Sequence, residues 1–81
     1  MDTTSIVNKP EHYTRYPIEP VEFIMQNNLG FHVGNIVKYA LRAGHKSYPG
    51  MDADQSEVTD LKKVIRYAEM RINLIENGVV V

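Results

Sequence analysis

Six apolar residues, Val58, Leu61, Ile65, Ala68, Ile72 and Ile75, recur at helical spacing near the end of the chain. They constrain the fold more than any other feature, because they predict one long helix. Asp54 and Glu57 form a capping box in its Asp variant, and Asp52 and Asp60 add charge near the positive end. Asn77-Gly78 closes the helix and leaves Val79-Val80-Val81 as a tail. On its back, Asp60, Lys63 and Tyr67 line up at i, i+3, i+7, and Met70 and Leu74 continue that face. A helix with apolar residues on both sides of its second half needs two partners. In a chain of 81 residues the second is most simply another subunit.

Size sharpens the point. A chain this short buries only about 60% of its unfolded surface. There is no cysteine, so neither a disulfide framework nor a cysteine-type zinc site can form. His12, His32 and His45 show no metal-ligand spacing, and no metal site is expected. Stability must come from helix packing, from oligomerisation or from both, and both together are expected. No apolar run approaches a membrane span and no secretory signal is present, so a cytoplasmic protein with no membrane partner is expected.

Upstream, residues 1–18 read as an extended arm, since Pro10, Pro17 and Pro20 each bias the preceding residue toward extended geometry. Pro20 suits a first helical turn, with Glu19 beside it. That short helix should carry Val21, Ile24 and Met25 inward and stop near 27–30, with Gly30 as terminator. A second helix is expected over 32–44, followed by a loop at Ser47-Tyr48-Pro49-Gly50. The expected fold is all-α: a single small three-helix domain over 1–81, with the arm at 1–18, assembling into a homo-oligomer.

Chemistry concentrates in the second helix. Asn35, Lys38, Tyr39, Arg42 and Lys46 fall within an arc of about 100°. Val33, Ile36, Val37, Ala40 and Leu41 lie mostly opposite and form a face able to dock on a core. Lys38, Arg42 and Lys46 are four apart with no acid anywhere between Glu22 and Asp52. Like charges at that spacing repel by a few tenths of a kcal/mol each. The pattern points to an anion, although a solvated basic face is the competing reading. Lys46 lies past Gly44 and joins the ladder only if the helix runs on or the loop folds back. Free N–H groups near Gly34-Asn35 would add to an anion site if the helix starts there.

Asp60 is expected to hold a basic side chain or a ribose hydroxyl, or simply to pair with Lys63. Tyr39 and Tyr67 are candidates for stacking on a base, worth about 1–3 kcal/mol per base, or else core edges. His12 and Tyr13 stand near enough in type to a phosphate donor or general acid to be kept as candidates beside a plain packing role. No phosphate loop, dinucleotide fingerprint or nucleophile triad is present. A formal net charge of −1 argues against nucleic acid as partner.

The blocks Lys9-Pro10-x-His12-Tyr13, Gly34-Asn35-x-x-Lys38-Tyr39-x-x-Arg42-Ala43-Gly44-x-Lys46 and Asp60-Leu61-x-Lys63-x-x-x-Tyr67 together resemble a family of small phage proteins, largely of unknown function. One member, in a lytic coliphage, is a nucleoside monophosphate kinase without a P-loop, and others carry the label "nucleotide kinase". The resemblance implies a phage origin, a helical fold, oligomers and nucleotide ligands. The matching positions are His12, Tyr13, Asn35, Lys38, Tyr39, Arg42, Lys46, Asp60, Lys63 and Tyr67.

The expected function is therefore nucleotide binding on a basic helix: Lys38, Arg42 and Lys46 on phosphates, Asn35 orienting one, Tyr39 or Tyr67 against a base. Such a protein would act in the cytoplasm of the infected bacterial host as a sponge for a nucleotide signal of antiviral defence, with no cofactor needed for binding. The alternative is a nucleoside monophosphate kinase using ATP and magnesium at a subunit interface, with catalytic residues unassigned. Phosphoryl transfer needs metal and tight positioning of two substrates, and so small a chain has little room for both.

Overall fold

Pro20 sits at the start of the first helix in the computed structural model, which describes residues 16–81. These residues form three helices, α1 (Pro20–Gln26), α2 (Phe31–Arg42) and α3 (Ala53–Asn77), and no strand. His12, Tyr13 and most of the expected arm lie outside the described residues.

The helix ends follow local chemistry. After α1, Asn27 donates its side-chain amide to the carbonyl of Phe23 at 2.9 Å, and Asn28 takes the left-handed conformation with φ 53°. Asparagine tolerates that region because its short polar side chain can bond locally. Gly30, expected to stop α1, is instead the N-cap of α2. Helix α2 thus begins at Phe31, and the Gly34 N–H already donates to the Gly30 carbonyl at 2.8 Å. The backbone donor expected near Gly34 is occupied. At the other end α2 stops at Arg42, short of the expected limit, and Gly44 turns away with φ 84°.

The capping box of α3 lies two residues earlier than expected. Asp52, not Asp54, is the N-cap: its carboxylate accepts from the Gln55 N–H at 2.7 Å, and Gln55 Oε1 accepts from the Asp52 N–H at 2.9 Å. Glutamine at the third position serves as well as glutamate. Gly78, at φ 69°, closes the helix with its N–H on the carbonyl of Leu74 at 3.0 Å, as the sequence predicts.

Helix α2 packs mainly on α3, and α1 packs on α2. The α1–α2 approach is close at Gly34, where an added Cβ would lie 3.0 Å from Ile24 Cγ2. Ile24 is half-buried, whereas Val21 and Met25, expected to face inward with it, are 58% and 70% exposed. With only two turns, α1 buries Pro20, half-buries Ile24 and sets Phe23 beside a cavity lined by Val37 and Leu41.

The packing face of α3 is the back, not the apolar stripe. Tyr67 stacks on Tyr39 of α2, with centroids 5.8 Å apart and planes 10° apart, and meets the edge of Phe31 at 5.8 Å. Aromatic pairs add about 0.5–1.5 kcal/mol beyond the area they bury, which favours this face. The stripe residues Val58, Leu61, Ile65, Ile72 and Ile75 stay between 44% and 67% exposed. Among the described residues Pro20 is the one buried apolar side chain, and the most enclosed side chains are Ser56 and Asp60. Polar groups occupy the centre.

Candidate anion-binding site

The connection between α2 and α3 builds this centre. Past Gly44 the chain folds back, and the Tyr48 N–H donates to the buried Ser56 Oγ at 3.0 Å. That bond, with the Asp52 cap, holds the Tyr48 ring between the two helices. Its phenol donates to Asp60 Oδ1 at 2.5 Å. The Tyr48 phenol oxygen in turn accepts from Arg42 Nη2 at 2.8 Å and from Lys63 Nζ at 2.9 Å. A phenol can do all three at once, since its oxygen has two lone pairs besides the O–H.

Asp60 is wholly buried, and the Arg42 Nε lies 3.8 Å from its Oδ1. This is a charge contact without a direct hydrogen bond, since Arg42 Nε and Asp60 Oδ2 find no partner. The carboxylate balances part of the positive charge around Tyr48. It also explains why Asp60, expected to add to the helix N-terminal charge, points inward. The Lys63 ammonium is held above its ordinary pKa, first by its hydrogen bond to Tyr48; partial burial opposes this, and the negative potential of the Tyr48 and Tyr39 phenols assists it.

Four cations gather on two rings. Lys63 Nζ lies 4.6 Å from the Tyr48 centroid and 4.8 Å from that of Tyr39. Arg42 reaches both rings, at 5.2 and 5.5 Å. Lys38 lies 5.2 Å from Tyr39, and Lys46 lies 5.2 Å from Tyr48. Ring faces carry negative potential, so each contact offsets part of the repulsion among the cations. Lys46 therefore joins the ladder through the loop, not through a longer helix.

Among the described residues, Lys38, Lys46 and Lys63 have no carboxylate within 4.0 Å, and Arg42–Asp60 is the one ion pair. Asp60 is shielded behind Tyr48. What the cluster offers a ligand is three ammonium groups and aromatic surface. Phosphate oxygens suit such donors.

Of the expected site residues, Lys38, Tyr39, Arg42, Lys46, Asp60 and Lys63 come together, and Tyr67 backs the cluster by stacking on Tyr39. Asn35 does not join them; its side chain donates to the carbonyl of Phe31 at 2.8 Å. Tyr48 lies in the loop expected at 47–50 and is the hub of the cluster, a place that the sequence does not assign to it. Nothing in its local pattern marks it, since its partners are 6, 12 and 15 positions away. No group of three histidine, aspartate or glutamate side chains is placed to hold a metal among the described residues.

A family profile described as a protein of unknown function (DUF3310) matches residues 7–69. No curated protein matches the chain, and no solved structure does.

Proposed function

The chain belongs to the DUF3310 family, whose description assigns no activity, and we propose from the site itself that the protein captures a phosphate-bearing nucleotide and releases it unchanged. The convergence of Lys38, Lys46 and Lys63 on the Tyr39 and Tyr48 rings, without a carboxylate partner among the described residues, carries this reading. An anion would neutralise a cluster that the fold leaves positive. Phosphate groups would meet the ammonium groups, and an aromatic base would lie against the half-buried Tyr39 or Tyr67 ring beside them. Binding is favoured over phosphoryl transfer because Asp60 is fully buried and already accepts the Tyr48 proton donor. It is in no position to take a proton from a substrate hydroxyl.

A protein of this kind would serve a phage by sequestering a nucleotide signal of host antiviral defence, acting in the cytoplasm of the infected bacterium. That role follows from the phage resemblance of the three sequence blocks. Among the described residues no helix is long and apolar enough to cross a membrane.

The test pairs equilibrium dialysis against nucleoside mono-, di- and triphosphates and cyclic dinucleotides with incubation of the protein with ATP, magnesium and each deoxynucleoside monophosphate. Reversible uptake of an intact nucleotide is expected, and affinity should fall at least about tenfold in Lys38→Gln/Lys46→Gln, since a hydrogen bond to a charged group contributes about 1.5–3 kcal/mol. Unchanged affinity in that variant would overturn the site. Formation of diphosphates would replace sequestration by the kinase reading. Arg42→Ala is the poorer probe, because Arg42 is buried against Asp60 and Tyr48.

A further inference from the structure

Much of the apolar stripe of α3 is left uncovered by the other described residues, although Val58 lies beside Gly50 and Met51, and its spacing is more specific than that of a generic helix face. From Val58 the intervals to Leu61, Ile65, Ala68, Ile72 and Ile75 are three, four, three, four and three. This is the a/d pattern of a heptad repeat, carried through the whole exposed side. Asp60, Lys63 and Tyr67 lie on the opposite side of the helix, where α2 packs. Pairing through the stripe would leave the cation cluster uncovered.

We propose that the stripe is the seam of a parallel, in-register, two-stranded coiled coil between two copies of this chain. The a positions, Val58, Ile65 and Ile72, are all β-branched, and the d positions are Leu61, Ala68 and Ile75, with the leucine of the two-stranded pattern at the first. In a parallel coiled coil, β-branched residues at a with leucine at d favour two strands.

The flanking charges choose the orientation. In a parallel pair each g residue faces the e residue of the following heptad on the other strand. Glu57 then meets Lys62 of the partner subunit, and Arg71 meets Glu76 of the partner subunit, each contact occurring twice by symmetry. The third such pair, Val64 with Glu69 of the partner subunit, brings no like charges together. An antiparallel pair in the register that aligns the seam would join Lys62 to Glu69 of the partner subunit but leave Arg71 opposite Val64 of the partner subunit and Glu57 at the helix end. The side chains of Glu57, Lys62, Arg71 and Glu76 are exposed and have no ion-pair partner among the described residues. The stripe itself is half or more exposed at Ile65, Ile72 and Ile75, and a domain whose one buried apolar side chain among its described residues is Pro20 has reason to cover it.

The experiment uses the full chain. Sedimentation equilibrium from low micromolar to submillimolar concentration should give a dimer, and Ile65→Asp should give a monomer whose helical circular dichroism is retained at low concentration. The chain has no cysteine, so Leu61→Cys reads the orientation: in the parallel pair the two introduced thiols meet and mild oxidation yields a covalent dimer. In the antiparallel pair they stand about 16 Å apart along the axis and do not link. A wild-type monomer, a larger assembly, a dimer indifferent to Ile65→Asp, or a Leu61→Cys dimer that resists oxidation would each overturn the proposal. None of these results touches nucleotide uptake, which stands or falls by its own experiment.

Discussion

Tyr48 and Asp60, twelve positions apart, are joined by a 2.5 Å hydrogen bond in which a loop phenol donates to a fully buried carboxylate. The same phenol oxygen receives Arg42 from α2 and Lys63 from α3. One side chain of the connection therefore ties both long helices to a single buried charge.

Removing that hydroxyl should be expensive. Tyr48→Phe keeps the ring under the cations but leaves Asp60 without its donor and Arg42 and Lys63 without their acceptor. A loss of about 2 kcal/mol or more is expected, because the groups left behind are desolvated and unpaired. Urea unfolding at one fixed protein concentration would show it as a lower midpoint with an unchanged slope. A change within a few tenths of a kcal/mol would mean that water replaces the hydroxyl at no cost.

Lys63 gives the protein a pH dependence in the alkaline range. Its pKa in the folded state is raised above the ordinary 10.5, chiefly by the hydrogen bond to Tyr48. A cation with a raised folded pKa stabilises at every pH below its free value, and the contribution fades as pH climbs through the folded one. The stability difference between the wild type and Lys63→Met should be constant from pH 7 to 9 and shrink above 10.5. Urea midpoints of both proteins across that range measure it. A difference that instead grew with pH would contradict the assignment.

Gly34 and Ile24 should be energetically coupled. Alanine in a helix interior is worth up to about 1 kcal/mol over glycine. At Gly34 that gain is opposed, since the new methyl would stand 3.0 Å from Ile24 Cγ2. Gly34→Ala should therefore be neutral or destabilising in the wild type and stabilising in an Ile24→Ala background. A double-mutant cycle should return a coupling of about 1 kcal/mol. Additive effects would show that α1 does not rest on α2 through this contact.

How much of this the sequence displays depends on how local each cause is. Pro20, Gly78 and the periodicity of α3 act within a turn or two, and the elements they predict are present. The capping box was legible in kind but not in register, because Asp52-x-x-Gln55 and Asp54-x-x-Glu57 offer the same chemistry two residues apart. Which face of α3 packs inward was not legible. Hydropathy favours Val58 to Ile75, whereas the inward face is decided by Tyr39, Tyr67 and Tyr48, whose partners lie on other elements.

The candidate site divides the same way. Lys38, Tyr39 and Arg42 share a face of one helix, so their grouping follows from helical spacing. Lys46 and Tyr48 reach it only because the chain reverses after Gly44 and is fastened at Ser56. Asn35 lies on the expected arc, yet its amide is taken by the carbonyl one turn back.

The chain has five tyrosines and no tryptophan. Three of them, Tyr39, Tyr48 and Tyr67, lie in or directly behind the cation cluster. Ultraviolet absorbance and intrinsic emission thus come in large part from the very rings beside which an anion would settle. Uptake of the proposed ligand would then be followed by light alone, with no dye or tag to perturb it.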